Sequence, residues 1–234
     1  MAVTDRLRVT LGPYSGAFGS AELSDYDTVS MTMNSTDGCD LAISASAYST
    51  AAQLVSELQT DFWVYVGNVL MQRFRCVSVE QTWDAEGNDK ISVAGVCYRR
   101  VLNRRLLNND LSFSATGQGD IAWGLVQNTQ AATGGDLAIT PWTLDSATTR
   151  DRNYIVGENI GEVLTNLSNV IGGPRIVVGG DLVFHAYAQG TLTTQAQPVM
   201  LGATARSLTR SSGAQYFSNA IQGFGDEIQT VVVQ

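Results

Sequence analysis

His185 is the only histidine in the chain, and it stands beside Phe184 and near Tyr187 in a run with strand character. A histidine acts as a general base or a zinc ligand only with partners. No cysteine is close to it in sequence, and a Ser-His-Asp set built with Asp181 would lack any Gly-x-Ser-x-Gly elbow. The pattern reads as a strand histidine. The acidic residues Glu22, Asp25, Asp27, Asp37 and Asp40 are spread over turns, with no spacing that fixes two carboxylates about a scissile bond. Asp37-Gly38-Cys39-Asp40 lacks the alternating aspartates of a calcium loop. Gly117-Gln118-Gly119-Asp120 precedes a helical pattern, as an anion-binding loop would. It has neither the Lys-Ser/Thr pair of a P-loop nor the Gly-x-Gly-x-x-Gly spacing of a dinucleotide site, and Asp120 as helix N-cap accounts for it. No catalytic residue, no metal site and no cofactor is expected.

Two other groups have reactive chemistry. Cys39, Cys76 and Cys97 are odd in number and widely spaced, without a Cys-x-x-Cys pair, which fits buried free thiols. Cys76 and Cys97 fall in adjacent expected strands and could approach each other. Arg99, Arg100, Arg104 and Arg105 surround Val101, Leu102 and Leu106, which recur at helix-like intervals. Four arginines there make either a solvated helix face or a charged seam against acidic neighbouring subunits or domains.

The elements that would position these groups centre on residues 61–107. Residues 61–66 are dense in aromatic and β-branched side chains, and Gly67-Asn68 suits a two-residue hairpin turn. Residues 69–83 alternate Leu70, Gln72, Phe74, Cys76 against Met71, Arg73, Arg75, Val77. Residues 84–88 form a polar turn, and 90–96 return along the long strand. Neither face of 69–83 is purely apolar, which fits a curved barrel better than a buried parallel sheet. Strands are expected before it at 6–11, 27–34 and 40–45. A short helix is expected over 51–58, capped by Ser49-Thr50.

Beyond residue 107 the character changes. A polar segment leads to a helix over 121–130, stopped by Gly134-Gly135, and then to an extended stretch at 137–142 with Pro141 at an edge. Residues 145–153 read as a polar loop. The strongest helical pattern is 158–171, with Ile160, Val163, Leu164, Leu167, Val170 and Ile171 in one stripe. Residues 175–178, a Gly179-Gly180 turn and 181–187 make a second hairpin. Further strands are expected at 198–205, 215–223 and 227–233. Each of the two hairpins follows an expected helix. The fold class is therefore mainly β with an α insertion (α+β): two small β-barrel-like domains joined by a mixed helical region. The divisions are a first barrel at 1–105, a connecting region at 106–172 and a second barrel at 173–234, completed by strands from 137–156.

Composition restricts the function further. The chain has 234 residues, 44% hydrophobic and 15% charged, which suits a folded protein with a sizeable core. Its net charge is -8, and Lys90 is the only lysine among 14 cationic residues, so no basic run is available to grip nucleic acid or anionic membrane. The N-terminus carries charges where a signal peptide needs an apolar core, and no stretch approaches about 18 apolar residues. A soluble protein made in a cytoplasm, with no membrane insertion, is expected.

Several segments in order carry a family resemblance: VAGVCYRRVLNRRLL, GDIAWGLVQNTQAATGGDLAI, TRDRNYIVGENIGEVLTNLSNVIGG and PRIVVGGDLVFHAYAQG. Together they resemble the tail hub (minor tail) proteins of long-tailed actinobacteriophages, and through them the baseplate hubs of contractile tails. The resemblance covers about residues 55–225 and is most specific at 121–173. It implies a non-enzymatic virion protein of the tail tip, synthesised in the host cytoplasm. Three copies would form a ring of six barrels joining the distal tail or tail tube protein to the threefold tail tip or central fibre proteins. The tape measure protein, and then DNA without specific binding, would pass through the lumen. Family members commonly run longer, with a further C-terminal domain. The alternative is a tail-tip receptor- or saccharide-binding module.

Overall fold

Leu7–Pro13 (β1), Ala21–Glu22 (β2), Tyr26–Asn34 (β3), Gly38–Ser46 (β4), Thr60–Val66 (β5), Val69–Trp83 (β6) and Asp89–Cys97 (β7) form one antiparallel sheet. Its strand order is β2-β1-β5-β6-β7-β4-β3. The computed structural model describes residues 7–14, 19–24, 26–34, 38–48, 50–66, 68–83, 89–145, 147–188, 207–208, 220–224 and 229–233. Period-two patterning drives the first sheet. Leu41, Ile43 and Ala45 on β4, and Ile91 and Val93 on β7, are buried on one face, while Ala42 and Ser92 between them are exposed. Val9, Leu11, Phe62, Val64, Phe74 and Cys76 belong to the same core. The sheet curls until its ends approach: the Tyr26 hydroxyl on edge strand β3 donates to the Leu7 carbonyl on β1 at 2.9 Å. This is the barrel-like first unit expected from the alternation.

Residues 51–58 do not form the expected helix. Ala52–Leu54 makes a single 3-10 turn whose N-cap, Ala51, offers no side-chain acceptor. Ala51 and Val55 pack on the first core, but Leu54 and Leu58 are exposed, and Leu58 adopts a φ of 59°. The first hairpin therefore does not follow a helix as the second does. Ser49, Gly67, the turn at 84–88 and the strand expected at 198–205 lie outside the described residues.

The buried core changes at residues 97–98. Tyr98–Val101 (α1) continues as a 3-10 turn over Leu102–Arg104, and from Tyr98 onward the buried apolar residues join a second core. That core is built on Gln118–Gln130 (α2) and Ile160–Asn169 (α3), and includes Phe184 and Ala186. Thr140–Leu144 (β9) pairs in parallel with Val183–Tyr187 (β12), which pairs antiparallel with Arg175–Val178 (β11). Pro141 thus sits on an edge strand. The second hairpin and the helices share one hydrophobic interior.

Three local expectations need correction. The N-cap of α2 is Gly117, and Asp120 lies in the first turn. The polar segments around 111–117 and 149–154 are strands, Leu111–Gly117 (β8) and Thr149–Tyr154 (β10), paired antiparallel. Their side chains are mostly exposed, so backbone pairing holds them and no hydrophobic alternation announces them. Ile171 leaves the α3 stripe and is 92% exposed, because the helix ends at Asn169 and Gly172 turns the chain at a φ of 70°. Cys76 and Cys97 do lie on paired strands, diagonally across the β6–β7 register with Cys97 opposite Phe74 and Cys76 opposite Gly95; the Cys97 sulfur accepts the Cys39 N–H at 2.9 Å. All three cysteines are buried free thiols. Near the C-terminal end, Ser207–Leu208 (β13), Ala220–Phe224 (β14) and Gln229–Val233 (β15) form a small antiparallel sheet.

The tip of the second hairpin abuts the first sheet. Gln72 Nε2 donates to the Val178 carbonyl at 3.4 Å, and a Cβ on Gly180 would lie 2.9 Å from Gln72 Cα. A Cβ on Gly179 would meet only the carboxylate end of Asp181 at 2.4 Å. Gly180→Ala should therefore cost about 1–3 kcal/mol by overpacking against immovable backbone, with Gly179→Ala well below it. Urea unfolding of both variants checks this; equal losses would mean that the docking of the tip is loose.

Candidate functional site

The most concentrated polar chemistry lies between the two cores. β5 begins Thr60-Asp61-Phe62-Trp63-Val64, and every one of these residues is buried. Phe62 and Val64 face the curled interior, so period-two geometry turns Asp61 and Trp63 to the opposite face. Register brings Asp61 opposite Arg75 and Trp63 opposite Arg73 on β6. Asp61 is wholly excluded from solvent, yet its Oδ2 accepts Arg73 Nε at 2.7 Å and its Oδ1 accepts Arg75 Nε at 3.4 Å. The Tyr98 hydroxyl, at the start of α1, donates to Oδ2 at 2.5 Å and accepts from Arg75 Nη2 at 2.8 Å. Arg73 Nη2 donates to the Tyr14 carbonyl at 2.5 Å.

One carboxylate faces two guanidinium groups, so the centre holds an excess positive charge away from water. Aromatic faces take up part of it: Arg73 Cζ lies 4.4 Å from the Trp63 ring centroid, and Arg75 Cζ lies 4.7 Å from that of Tyr14 and 5.0 Å from that of Tyr98. Burial, followed by the Asp61 charge, raises the Tyr98 hydroxyl above the usual phenol range and keeps it a hydrogen-bond donor. The ring of Tyr98 belongs to the second core while its hydroxyl closes the charge centre of the first sheet. With Asp61 sealed from solvent, the arrangement joins parts of the chain.

The expected seam arginines divide. Arg99 is 3% exposed and reaches α3, where its Nη2 donates to Thr165 Oγ1 at 3.0 Å and to the Gly161 carbonyl at 3.4 Å. Arg100 pairs with Asp40 on β4, both partly exposed. Arg104 is exposed and Arg105 half-buried; the Arg105 carbonyl accepts the Ile160 N–H at the start of α3 at 2.9 Å. Arg99 and Arg100 thus join elements within one chain. Sequence reasoning missed Asp61, Tyr98 and Tyr14 as members of a polar centre. The available signal was a charge opening a strand of otherwise bulky residues, opposite two arginines in the next strand.

The remaining chemical candidates are engaged otherwise. Asp181 Oδ1 accepts the Val183 N–H at 3.1 Å within the hairpin turn, and His185 stacks on Tyr187 with centroids 5.1 Å apart. At the start of α2, the Gln118 and Gly119 N–H groups donate to the Thr148 and Asp145 carbonyls at 3.0 and 2.8 Å, which leaves them nothing to give an anion. Among the described residues no three His, Cys, Asp or Glu side chains gather where a metal ion could sit. A groove of 620 Å³ between β10 and α3 is lined by polar residues, among them Arg152, Glu158, Asn159 and Asn166.

Asp61→Asn removes the only carboxylate that faces Arg73 and Arg75 among the described residues and should destabilise the protein by about 3–5 kcal/mol, as breaking a buried pair does. Tyr98→Phe should cost about 1–2 kcal/mol, the loss of one buried hydrogen bond. Denaturant titration ranks them, and a neutral Asp61→Asn would refute the central role of the charge centre. Burial also pushes the Cys76 thiol up from 9.0 to about 11. The folded state then holds its proton more tightly than the unfolded one, so this stabilisation is complete below pH 9 and lost as pH rises toward 11. Stability should fall over that range by about 2 kcal/mol, and Cys76→Ala should flatten this part of the profile.

No protein-family model matches the sequence, and no curated protein matches it. Solved structures do share its fold. A 43 kDa tail protein of prophage MuSo2 from Shewanella oneidensis superposes with a TM-score of 0.60 at 14% identity, over 91% of this chain and 64% of that one. A tail protein from Neisseria meningitidis MC58 gives 0.54 at 12% identity, over 77% of this chain and 50% of that one. Prophage tail protein gp18 from Listeria monocytogenes EGD-e gives 0.51 at 11%, over 76% and 50%. This chain spans about half the length of the latter two, and the fold it shares with all three is that of tail proteins, two of them from prophages.

Proposed function

We propose that this chain is a non-enzymatic structural subunit of a phage tail, specifically the tail hub. Three copies form a ring that joins the tail tube or distal tail ring to a threefold tail tip, around a channel for the tape measure protein and DNA. The observation that carries this reading is the likeness of fold to three tail proteins across 76–91% of the chain. The Asp61 carboxylate, held out of solvent between the two cores, supports a role in assembly rather than chemistry. The net charge of -8 fits a lining that DNA passes without adhering. Trp142 is 78% exposed on edge strand β9, a position where a neighbour would cover it.

A second reading, a receptor- or saccharide-binding module at the tail tip, draws on one feature. Tyr48 and Trp83 are 70% and 69% exposed at the same end of the first sheet: Trp83 pairs with Asp89, whose carbonyl accepts the Ala47 N–H. Exposed aromatic faces there would suit stacking against sugar rings.

Cryo-electron microscopy of the intact tail tip, without imposed symmetry, separates the two. The hub reading expects three copies around the axis. Copies on a peripheral fibre or plate would favour the binding module, and absence from the particle would reject both. Glycan and cell binding that vanishes in Trp83→Ala would strengthen the second reading.

A further inference from the structure

Tyr14, Leu58, Arg75, Arg104, Arg105 and Asp136 line a pocket of 340 Å³ where the curled sheet meets the helical core. Arg75 is 7% exposed and comes from β6; Arg104 and Arg105 come from the end of the turn after α1. Among the described residues Arg104 and Arg105 join no ion pair. Asp136 is the one carboxylate in the lining, and its Oδ1 already accepts the Ala138 N–H at 2.7 Å. Tyr14 and Leu58 stand 45% and 55% exposed. Leu58 is held at a φ of 59°, a conformation that L side chains rarely adopt, with its side chain directed outward. Strain of this kind clusters at functional positions. The pocket is therefore locally positive on an acidic protein, with an apolar rim.

We propose that this pocket seats an acidic side chain of a neighbouring copy of this chain, which rests on the reading of the protein as a ring-forming subunit. The charge balance selects the occupant. The chain carries 22 acidic and 14 basic residues, so a second copy offers many carboxylates. Guanidinium groups bind carboxylates through paired, charge-assisted hydrogen bonds. Two such pockets facing each other directly would oppose arginine to arginine, so the neighbour must dock a different, acidic surface. In the ring of the proposed function that contact is heterologous, each copy presenting its pocket to the acidic surface of the next.

Analytical ultracentrifugation of the full chain over a range of protein and salt concentrations tests this, with Arg104→Glu compared against Arg152→Glu. The two substitutions change net charge equally, and Arg152 lines the separate groove beside α3. Circular dichroism checks that both remain folded. The expected result is self-association to a trimer that weakens with salt, is reduced more than tenfold by Arg104→Glu and is retained by Arg152→Glu. A chain that stays monomeric throughout, or equal responses of the two variants, would overturn the proposal. The hub reading is judged separately: a three-copy ring in the particle alongside unaffected Arg104→Glu association would leave the hub standing and remove the pocket's role. A pocket-dependent trimer with copies off the axis would do the reverse.

Discussion

The fold depends on neutralising a carboxylate that cannot reach water. Ionised Asp61 in an apolar setting would be strongly unfavourable without partners, because a buried charge loses its hydration. Its three partners come from two neighbouring elements, Arg73 and Arg75 on β6 and Tyr98 on α1. Each partner constrains its own element: the strand register fixes which arginines face Asp61, and the tyrosine fixes where the helical segment leaves the sheet. Hydrophobic burial supplies most of the driving force on either side of this centre. The charge centre decides how the two cores meet.

Close backbone approach strengthens the junction. Gly180 lets the second hairpin lie against Gln72, and Gly161 lets α3 lie on the 3-10 turn, where an added Cβ would fall 2.6 Å from Asn103 Cα. Arg99 then crosses from α1 to α3, and Arg100 crosses from α1 to β4. The short segment at 98–105 thereby contacts the first sheet, the second core and the rim of the basic pocket. A cluster of arginines in sequence has become three kinds of contact: a buried tie, a partly exposed ion pair and an open cationic surface.

Much of the first sheet was legible because one face is buried and the other polar, so alternation reports both strand and register. The long strand β6 was bounded correctly at residues 69–83 by the turn-type residues that flank it in the sequence. β8 and β10 escaped notice because they form a largely exposed two-stranded ribbon, where backbone pairing leaves little trace in side-chain pattern. The helix expected at 51–58 failed in the opposite way: its periodicity was present, but Leu54 and Leu58 have no core to face. Within the site, the cluster 99–105 was visible as local density of charge. The Asp61 centre was not, because Tyr98 lies 37 positions from Asp61 and only register and chain reversal bring them together. Arg73 and Arg75 looked like the polar side of an amphipathic strand, whereas both faces of that strand are covered from Gln72 to Cys76.

The position of Tyr98 bears on how divisible this protein is. The strands of the first sheet are complete at Cys97, which would make the next peptide bond a natural place to separate two modules. The residue immediately beyond it carries a hydroxyl that the first module needs, on a ring that the second module buries. A recombination breakpoint between residues 97 and 98 would leave one half with an open charge centre and the other with a tyrosine lacking its buried acceptor. The two cores are distinct as packing units but not as units of inheritance. Exchange of either half with a homologue would have to carry Asp61, Arg73, Arg75 and Tyr98 together.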